Sequence, residues 1–481
     1  MESKEIKTKA INGIFWQFGQ KLASQGVNFI ITIFLARLLA PDDFGLVAMT
    51  SIFMRIAGIF VESGMGVSLI QKKDADELDY NTVFYASLVL ASFIYSILFF
   101  SSPYIGLLFD NDSVVNIIRV LGLSLFISSF RTIQNASVTR KLDYKKFFYV
   151  SMISTTVHGL IGIIMAFGGF GVWALVISSL VGSIVGVITM NRLVKWVPKL
   201  MFSFQRLRTI YAFGLNLMFA ELLGSFFNEL RGFLIGAKYK PADLAFYNRG
   251  DSLPQVFSNN ISGTLNGVLF PVMSRFQDDK KQVKAALRRS IMTSSFVVVP
   301  VMFLMSAVAD KLIIILYTEK WAMAIPFMQI ISFKYCFNLL GGANTQAIKA
   351  IGRSDITLKL ELIKKPLFLI MLLITMQISP LAICIGNTVW DLFGAMINAY
   401  PNKKLIKYSY FEQLKDISPQ LILSVIMGGA IFLLGRCSFN IYLIFTCQIL
   451  IGVSLYLGMA YLFKLESFHY LRLTIKDHFA R

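Results

Sequence analysis

Residues 81–101 read NTVFYASLVLASFIYSILFFS, a continuous run that contains no charged side chain. A helix rises about 1.5 Å per residue, so about 20 mostly apolar residues are enough to cross the hydrocarbon core of a bilayer. The run lacks the strict alternation of apolar and polar residues that is typical of a half-buried strand. It therefore predicts a membrane-spanning helix.

Runs of this kind recur along the whole chain. The segments between them are short, at most about twenty residues, and leave no room for a soluble catalytic domain. Because only helices and closed barrels satisfy their backbone polar groups in lipid, runs of this length favour helices. We predict an all-α integral membrane protein with about 14 transmembrane helices. They are expected at 11–38, 44–70, 81–101, 114–134, 147–167, 170–190, 209–237, 246–274, 290–308, 324–345, 362–378, 380–399, 417–435 and 440–463.

The overall composition agrees with a chain whose solvent is mostly lipid. Of the 481 residues, 56% are hydrophobic and 15% charged, and the mean hydropathy is +0.65. Soluble domains have about 45–50% apolar and about 25% charged residues. This much apolar surface excludes a disordered chain and disfavours an ordinary soluble enzyme.

The residues that bind metals, nucleotides or other cofactors are sparse. The four cysteines lie in apolar runs without a Cys-x-x-Cys pair, and His158, His469 and His478 are far apart in the sequence. This pattern is not typical of a zinc site or a disulfide framework. A Walker-type phosphate loop is also absent from the sequence, so energy must come from an ion gradient, the membrane potential or the substrate gradient. We expect no cofactor and no metal.

The positive charges are distributed unevenly between the two sides of the predicted membrane. If the N-terminus is cytoplasmic, most of the 46 Lys and Arg residues fall in cytoplasmic segments. Cytoplasmic loops of membrane proteins carry such an excess, so the net charge of +19 needs no nucleic-acid partner. We predict a membrane protein with both termini in the cytoplasm. The outside loops hold only Lys238, Lys240, Lys311, Lys320 and Arg436.

Two similar segments lie 200 residues apart. LARLLAPDDFGLV at 35–47 matches IGAKYKPADLAFY at 235–247 through a proline and an aspartate at equivalent positions. Six predicted spans separate the copies, so both copies have the same orientation in the membrane. Parallel repeats around a central site are a common transporter plan. The repeat predicts two parallel six-helix lobes around a central cavity, at 1–190 and 209–399, a basic linker at 191–208, and two extra C-terminal helices with a tail at 400–481.

Polar residues inside the predicted spans form stripes at helical spacing. In the first span Gln17, Lys21 and Asn28 share one face, and in the second Arg55 and Glu62 lie two turns apart. The seventh and eighth spans carry similar stripes. Charged groups at membrane depth usually face a cavity or a partner, so we predict a hydrated cavity lined by spans 1, 2, 7 and 8.

The same stripes have a purely structural alternative. Arg55 could pair with Glu62, and Glu229 with Arg231, and these pairs would only hold helices together. In a cavity, by contrast, guanidinium groups would bind phosphate well, because their planar fork donates two parallel hydrogen bonds. The candidate ion-coupling residues, which could carry a proton or a sodium ion, are Glu62, Glu221, Asp251 and Asp391. The candidate substrate-binding residues are Lys21, Arg55, Arg249, Gln17, Asn28, Arg231, Asn228 and Asn259.

Four short motifs resemble one family of membrane transporters. They are ARLLAPDDFG at 36–45, YNRGDSLPQV at 247–256, LFPVMSRFQDD at 269–279 and GRSDITLKLELIKKPL at 352–367. Together they resemble the Wzx-type polysaccharide flippases of the exopolysaccharide (colanic-acid-like) and O-antigen branch. The similarity runs over essentially the whole chain. The superfamily also contains the MATE-like multidrug extruders and the lipid II flippases.

The resemblance implies a substrate and a mechanism. It implies alternating access, with an undecaprenyl-diphosphate-linked oligosaccharide repeat unit moved from the cytoplasmic to the periplasmic leaflet. The last two predicted spans, 417–435 and 440–463, are the extra pair of helices seen in lipid flippases. The family's cationic role in holding the diphosphate carries over onto Arg55 and Arg249, whereas Lys21 is inferred from helix phase alone. Membrane lipid and a polysaccharide polymerase or ligase are the implied partners.

Three other functions compete with this prediction. An ion-coupled exporter of cationic drugs would need a cavity dominated by acids, whereas the stripes hold at least as many cations. A lipid II flippase differs only in its substrate. An enzyme, such as a polymerase or ligase, would need a sizeable outer loop with catalytic groups, and the longest outer loop, at about 309–323, is small. We therefore expect a transporter and not an enzyme.

Overall fold

The computed structural model describes the backbone of residues 2–437 and 439–479. Within these ranges it describes all side chains except those of residues 2–11, 14, 262, 264–268 and 474–479. All regular secondary structure in the described part of the chain is helical. The helices are α1 Glu2–Leu38, α2 Pro41–Glu62, α3 Met65–Gln71, α4 Glu77–Leu108, α5 Ser113–Gly122, α6 Ser124–Arg140, α7 Tyr144–Phe167, α8 Val172–Val194, α9 Phe204–Lys238, α10 Pro241–Arg275, α11 Lys280–Ala307, α12 Ala309–Tyr317, a 3-10 helix Glu319–Ala324, α13 Ile325–Ala350, α14 Ser354–Thr375, α15 Pro380–Leu405, α16 Tyr410–Leu434, α17 Ile441–Leu462 and α18 Glu466–Phe479.

The prediction of an all-α membrane protein is confirmed. Within the described residues, 11 helical segments are long and apolar enough to cross a bilayer, so the chain is a multi-pass membrane protein. Each of the fourteen predicted spans falls on a helix or on a pair of consecutive helices. The three spans outside the apolar set, on α1, α10 and α14, are helices of 37, 35 and 22 residues that carry more polar side chains. The count of fourteen stays a prediction.

The 200-residue repeat is visible in the local structure. Helices α2 and α10 begin at Pro41 and Pro241, in the first helical position, where the missing N–H of proline is harmless. In both copies the aspartate two residues later, Asp43 or Asp243, accepts a hydrogen bond from the backbone N–H three positions before it, at 3.0 Å and 3.2 Å. The matched residues therefore build the same helix start twice.

By internal packing the chain divides into two compact units, Met1–Ala245 and Phe246–Arg481, with the boundary inside α10. Helix α9 thus belongs to the first unit, whereas the sequence assigns 209–237 to the second predicted lobe. The difference arises because α9 packs on α2, α3 and α4. The predicted lobe boundaries were derived from the sequence repeat and not from helix packing. They stay a prediction.

Two glycines let helices of the first unit approach closely. A Cβ on Gly45 of α2 would lie 1.9 Å from the backbone oxygen of Pro241, so the starts of α2 and α10 meet backbone to backbone. Gly64, between α2 and α3, has φ +65°, and a Cβ there would lie 2.5 Å from the backbone oxygen of Gly214 in α9. Close approach through small residues is the usual basis of helix packing in membranes.

A charge cluster holds the α3–α4 turn of the first unit and consists of Lys72, Asp76, Asp79 and Arg206. Asp79 is fully buried, and its carboxylate lies 2.6 Å from Lys72 Nζ and 3.2 Å from an Arg206 guanidinium nitrogen. The Asp79 N–H donates to the Asp76 carboxylate at 3.0 Å, which caps α4. This bond, helped by the positive charges of Arg206 and Lys72, lowers the pKa of Asp76 below its usual range. The cluster ties the start of α4 to the start of α9.

The core of the second unit includes a buried amide network. Asn344 of α13, Asn402 of α15 and Gln413 of α16 are fully buried. Asn344 and Gln413 exchange two hydrogen bonds, at 2.7 and 2.9 Å, and the Asn402 amide donates to Asn344 Oδ1 at 2.7 Å. Buried polar groups that satisfy one another hold helices together in an apolar medium.

Candidate functional site

The first candidate group lies on facing sides of α2 and α9. Arg55 of α2 forms an ion pair with Glu229 of α9, with Nε 3.4 Å from Oε1. The Arg55 side chain is 58% exposed and the Glu229 side chain 29% exposed. The structure thus gives Arg55 a partner on another helix in place of Glu62, which the seven-residue spacing suggested. More than half of the guanidinium-bearing side chain stays open to a ligand.

About two helical turns from the Arg55–Glu229 pair, α2 and α9 carry a second group of charged residues. Glu62 at the end of α2 interacts electrostatically with Arg131 of α6 and with Glu221 of α9. All three side chains are exposed. Two neighbouring carboxylates form an arrangement that can attract a small cation. The predicted ion-coupling residues Glu62 and Glu221 are therefore neighbours.

The first unit contains a polar cavity of about 360 Å³, which α1 lines on one side. Asn28 lies on its wall, and so does Gln20, one position from the predicted Lys21. Gln17 and Lys21 are both exposed. The far wall is built by α6, α7 and α8, whose polar residues include Arg131 and His158. We call this space the polar cavity.

Two predicted residues of α10, Arg249 and Asp251, lie in the second unit and are buried. Arg249 is 8% exposed, and its guanidinium carbon lies 4.8 Å from the ring centres of both Tyr317 and Trp321. Asp251 is 6% exposed and accepts a hydrogen bond from the Tyr335 hydroxyl at 2.8 Å. A guanidinium between aromatic rings is stabilised by cation–π attraction, so Arg249 contributes to the packing of α10 against α12 and the 3-10 helix. Its contact with substrate stays a prediction.

The remaining predicted residues are distributed over three helices. Asn228 of α9 and Asn259 of α10 are exposed, while Arg231 of α9 and Asp391 of α15 are partly buried. The structure therefore groups Arg55, Glu229, Glu62 and Glu221 in the first unit and Arg249 with Asp251 in the second. One cavity shared by all of the predicted residues stays a prediction.

Sequence reasoning gave too little weight to Arg131. It is not among the predicted site residues, but it lies on the wall of the polar cavity and interacts electrostatically with Glu62. The Gln134–Asn135 pair in the same apolar span was the available signal, because amides are rare in such helices. In the part of the chain with described side chains, no group of three His, Cys, Asp or Glu residues lies close enough to hold a metal ion. The side chain of His478 lies outside that part.

A model of one family matches residues 34–326, well over half of the chain, and its description is "Polysaccharide biosynthesis protein". The chain belongs to this family. The match begins in α1 and ends at the start of α13, so it includes both copies of the repeat. It also includes every candidate site residue from Arg55 to Asn259.

Two curated proteins with a similar sequence are named for polysaccharide transport or biosynthesis. The chain is 23% identical over 419 residues to the lipopolysaccharide biosynthesis protein WzxC of Escherichia coli (strain K12), covering 86% of this chain and 82% of that one. It is 22% identical over 317 residues to the succinoglycan biosynthesis transport protein ExoT of Rhizobium meliloti (strain 1021), covering 66% of this chain. That match covers 64% of ExoT, slightly less than two thirds of its length.

Solved structures place the family member in a known transporter fold. The lipid II flippase MurJ, in an inward closed conformation, matches with a TM-score of 0.74 at 15% identity, over 94% of this chain and 98% of MurJ. An inward-facing multidrug resistance MATE transporter matches with a TM-score of 0.60 at 14% identity, over 80% of this chain and 94% of its own. The predicted MATE-like transporter fold is confirmed.

Proposed function

We propose that the protein is a flippase that moves undecaprenyl-diphosphate-linked oligosaccharide repeat units from the cytoplasmic to the periplasmic leaflet, for exopolysaccharide or O-antigen biosynthesis. The observation that carries the proposal is Arg55, whose side chain is 58% exposed in the membrane-spanning helix α2. Charged side chains at membrane depth usually face a cavity or a partner, and the ion pair with Glu229 leaves most of the Arg55 side chain exposed to an anionic ligand. Family membership supports a polysaccharide precursor, and in such a precursor the diphosphate is the anion.

The proposed mechanism is alternating access. Arg55 binds the diphosphate in competition with Glu229, with Lys21 and Arg249 as further cations, while Gln17, Asn28, Asn228, Arg231 and Asn259 contact the head group. The prenyl tail stays in lipid. Glu62 with Glu221, and Asp251 or Asp391, are the proposed carriers of a coupling proton or sodium ion. The protein acts as a transporter rather than an enzyme, in the inner membrane with both termini in the cytoplasm, beside a polymerase or ligase.

The test of this function is the lipid fraction of cells with and without the gene. Without it, undecaprenyl-diphosphate-linked repeat units are expected to accumulate and surface polysaccharide to disappear, because synthesis continues on the inner leaflet while export stops. Mass spectrometry of the extracted lipid measures the accumulation and identifies the sugar. Unchanged lipid intermediates in the deletion strain, together with a new sensitivity to cationic drugs, would contradict the proposal and favour a drug exporter.

The role of Arg55 can be separated from that of its ion pair. Arg55→Gln is expected to reduce transport about 10- to 100-fold, which corresponds to the loss of charge-assisted hydrogen bonds worth about 1.5–3 kcal/mol. The double variant Arg55→Gln/Glu229→Gln removes the uncompensated carboxylate as well. If Arg55 binds the diphosphate, the double variant stays inactive. The measurement is restoration of surface polysaccharide in the deletion strain, at matched protein amounts in the membrane.

A recovery of activity in the double variant would show that Arg55 only neutralises Glu229. Glu229→Gln alone serves as the control. It leaves Arg55 without its carboxylate partner, so it is expected to retain transport if the cation is what the substrate needs.

A further inference from the structure

The polar cavity is lined by helices of a single unit and is open on one side. It lies among α1, α6, α7 and α8, and its volume of about 360 Å³ falls in the range of about 300–1,000 Å³ that is typical of small-ligand sites. This is room for a small polar ligand and not for a complete lipid-linked repeat unit. Its lining is also distinct from the Arg55–Glu229 pair, which is not part of its wall.

The wall of the polar cavity is rich in groups that both donate and accept hydrogen bonds. Four carboxamides line it, those of Gln20, Asn28, Gln134 and Asn135. Hydroxyl groups of α7 and α8 complete the wall and include those of Ser151, Ser154, Thr155, Ser179 and Ser183. So many hydrogen-bonding groups inside membrane-spanning helices favour a polar occupant.

The charges of the wall argue against a cationic ligand. Among the residues that line the polar cavity there is no aspartate or glutamate, and the cationic group is Arg131 beside His158. Arg131 in turn interacts electrostatically with Glu62, which is not part of the wall. Neither a sodium ion nor a cationic drug would find a carboxylate here. A neutral ligand with many hydroxyl groups fits the lining.

One buried atom indicates that the site is built for such a ligand. Gln134 is only 1% exposed, and its amide nitrogen donates to the Val187 carbonyl of α8 at 3.2 Å. This bond fixes the orientation of the carboxamide. Its Oε1 atom is buried and has no hydrogen-bond partner among the described residues. A buried acceptor of this kind is unfavourable unless a donor such as a hydroxyl group reaches it.

We propose that the polar cavity is a saccharide site that binds neutral, hydroxyl-rich sugar residues of the transported repeat unit. The carboxamides and hydroxyls hydrogen-bond the ring hydroxyls, and Phe147 offers an apolar surface to the C–H face of a sugar ring. This inference rests on the proposed function and adds to it a second point of recognition, separate from the diphosphate. Sugar specificity would then depend on α6, α7 and α8 rather than on the cations of α2.

The test measures binding to the purified full-length protein in detergent by calorimetry. The probes are the free oligosaccharide released by mild acid from the lipid-linked intermediates, undecaprenyl diphosphate without sugar, and inorganic phosphate. Asn135→Leu on α6 and Ser179→Leu on α8 change exposed wall residues on different helices. Ser92→Leu on α4 is the matched control, because Ser92 is exposed but is not part of the wall.

Each wall variant is expected to weaken oligosaccharide binding about tenfold or more, as for the loss of one or two hydrogen bonds, and to leave undecaprenyl diphosphate binding within about twofold. Ser92→Leu should bind all probes like the unchanged protein. Unaltered oligosaccharide binding in both wall variants would overturn the proposal. A second result would also overturn it. If the protein binds no saccharide but binds inorganic phosphate, and Asn135→Leu and Ser179→Leu weaken the phosphate binding, the cavity is an anion site.

Failure of this proposal differs from failure of the proposed function. If the deletion strain accumulates lipid-linked units but the wall variants bind saccharide normally, only the saccharide site is wrong. If the wall variants lose saccharide binding and the deletion strain shows no accumulation, the site is supported and the flippase function is wrong.

Discussion

Gly45→Ala is expected to remove most of the folded protein from the membrane and to abolish complementation of the deletion strain. The added Cβ would lie 1.9 Å from the backbone oxygen of Pro241 and 2.2 Å from its carbonyl carbon. Backbone atoms at a helix start cannot rotate away as a flexible side chain does. Overpacking typically destabilises by about 1–3 kcal/mol, and a backbone clash of this depth is expected at about 3 kcal/mol or more. That is a large part of a total stability of about 5–15 kcal/mol.

The measurement for Gly45→Ala is the melting temperature of the detergent-purified protein together with its amount in the membrane fraction. Gly58→Ala is the matched control, because Gly58 lies on the same helix and a Cβ there meets no atom within 4 Å. Alanine is favoured over glycine inside a helix by about 1 kcal/mol, so this control should be neutral or slightly stabilising. A normal melting temperature for Gly45→Ala would show that the starts of α2 and α10 are not in contact in the native protein.

The helices of this protein could be predicted from sequence, but their partners could not. Uncharged runs such as 81–101 are sufficient to locate spans because lipid imposes one rule on all of them. The paired prolines and aspartates at 41–43 and 241–243 predicted a repeat, and both copies build the same capped helix start. Gly45 carried no such signal, because periodicity shows which face of a helix is polar and not which helix lies against it.

The candidate site shows the same limit. Helical spacing suggested that Arg55 pairs with Glu62, because a spacing pattern relates only residues of the same helix. The structure pairs Arg55 with Glu229, which is far away in sequence. Arg249 was predicted to bind the substrate, yet its guanidinium contacts the rings of Tyr317 and Trp321. The polar cavity was not predicted because serines and asparagines in apolar spans also serve as ordinary packing residues.

The second large effect is expected for Asp79→Ala, which should destabilise the protein by about 3 kcal/mol. Removing one member of a buried ion pair typically destabilises by about 3–5 kcal/mol, because the partner charge is left uncompensated. Here the side chains of Lys72 and Arg206 are 28% and 38% exposed, so water reaches both cations and the effect is expected at the lower end. Asp79 also accepts from the Asp76 N–H at 3.1 Å, and this half of the capping box is lost as well.

The effect of Asp79→Ala can be measured by proteolysis as well as by the melting temperature, because of where Asp79 lies. The charge cluster holds the start of α4 against the start of α9, and Lys199 of the preceding linker pairs with Glu77 at 2.7 Å. When Asp79 is replaced, the linker at 191–208 is expected to open, and trypsin should cleave it several-fold faster at its basic residues.

Asp74→Asn is the control, since Asp74 is an exposed residue of the same turn. Equal cleavage rates in Asp79→Ala and Asp74→Asn would mean that the linker is held by its apolar contacts with α4 and not by charge. Faster cleavage in Asp79→Ala alone would identify the buried carboxylate as the group that fixes the entry of the chain into α9, the helix that carries Glu221 and Glu229 to the candidate site.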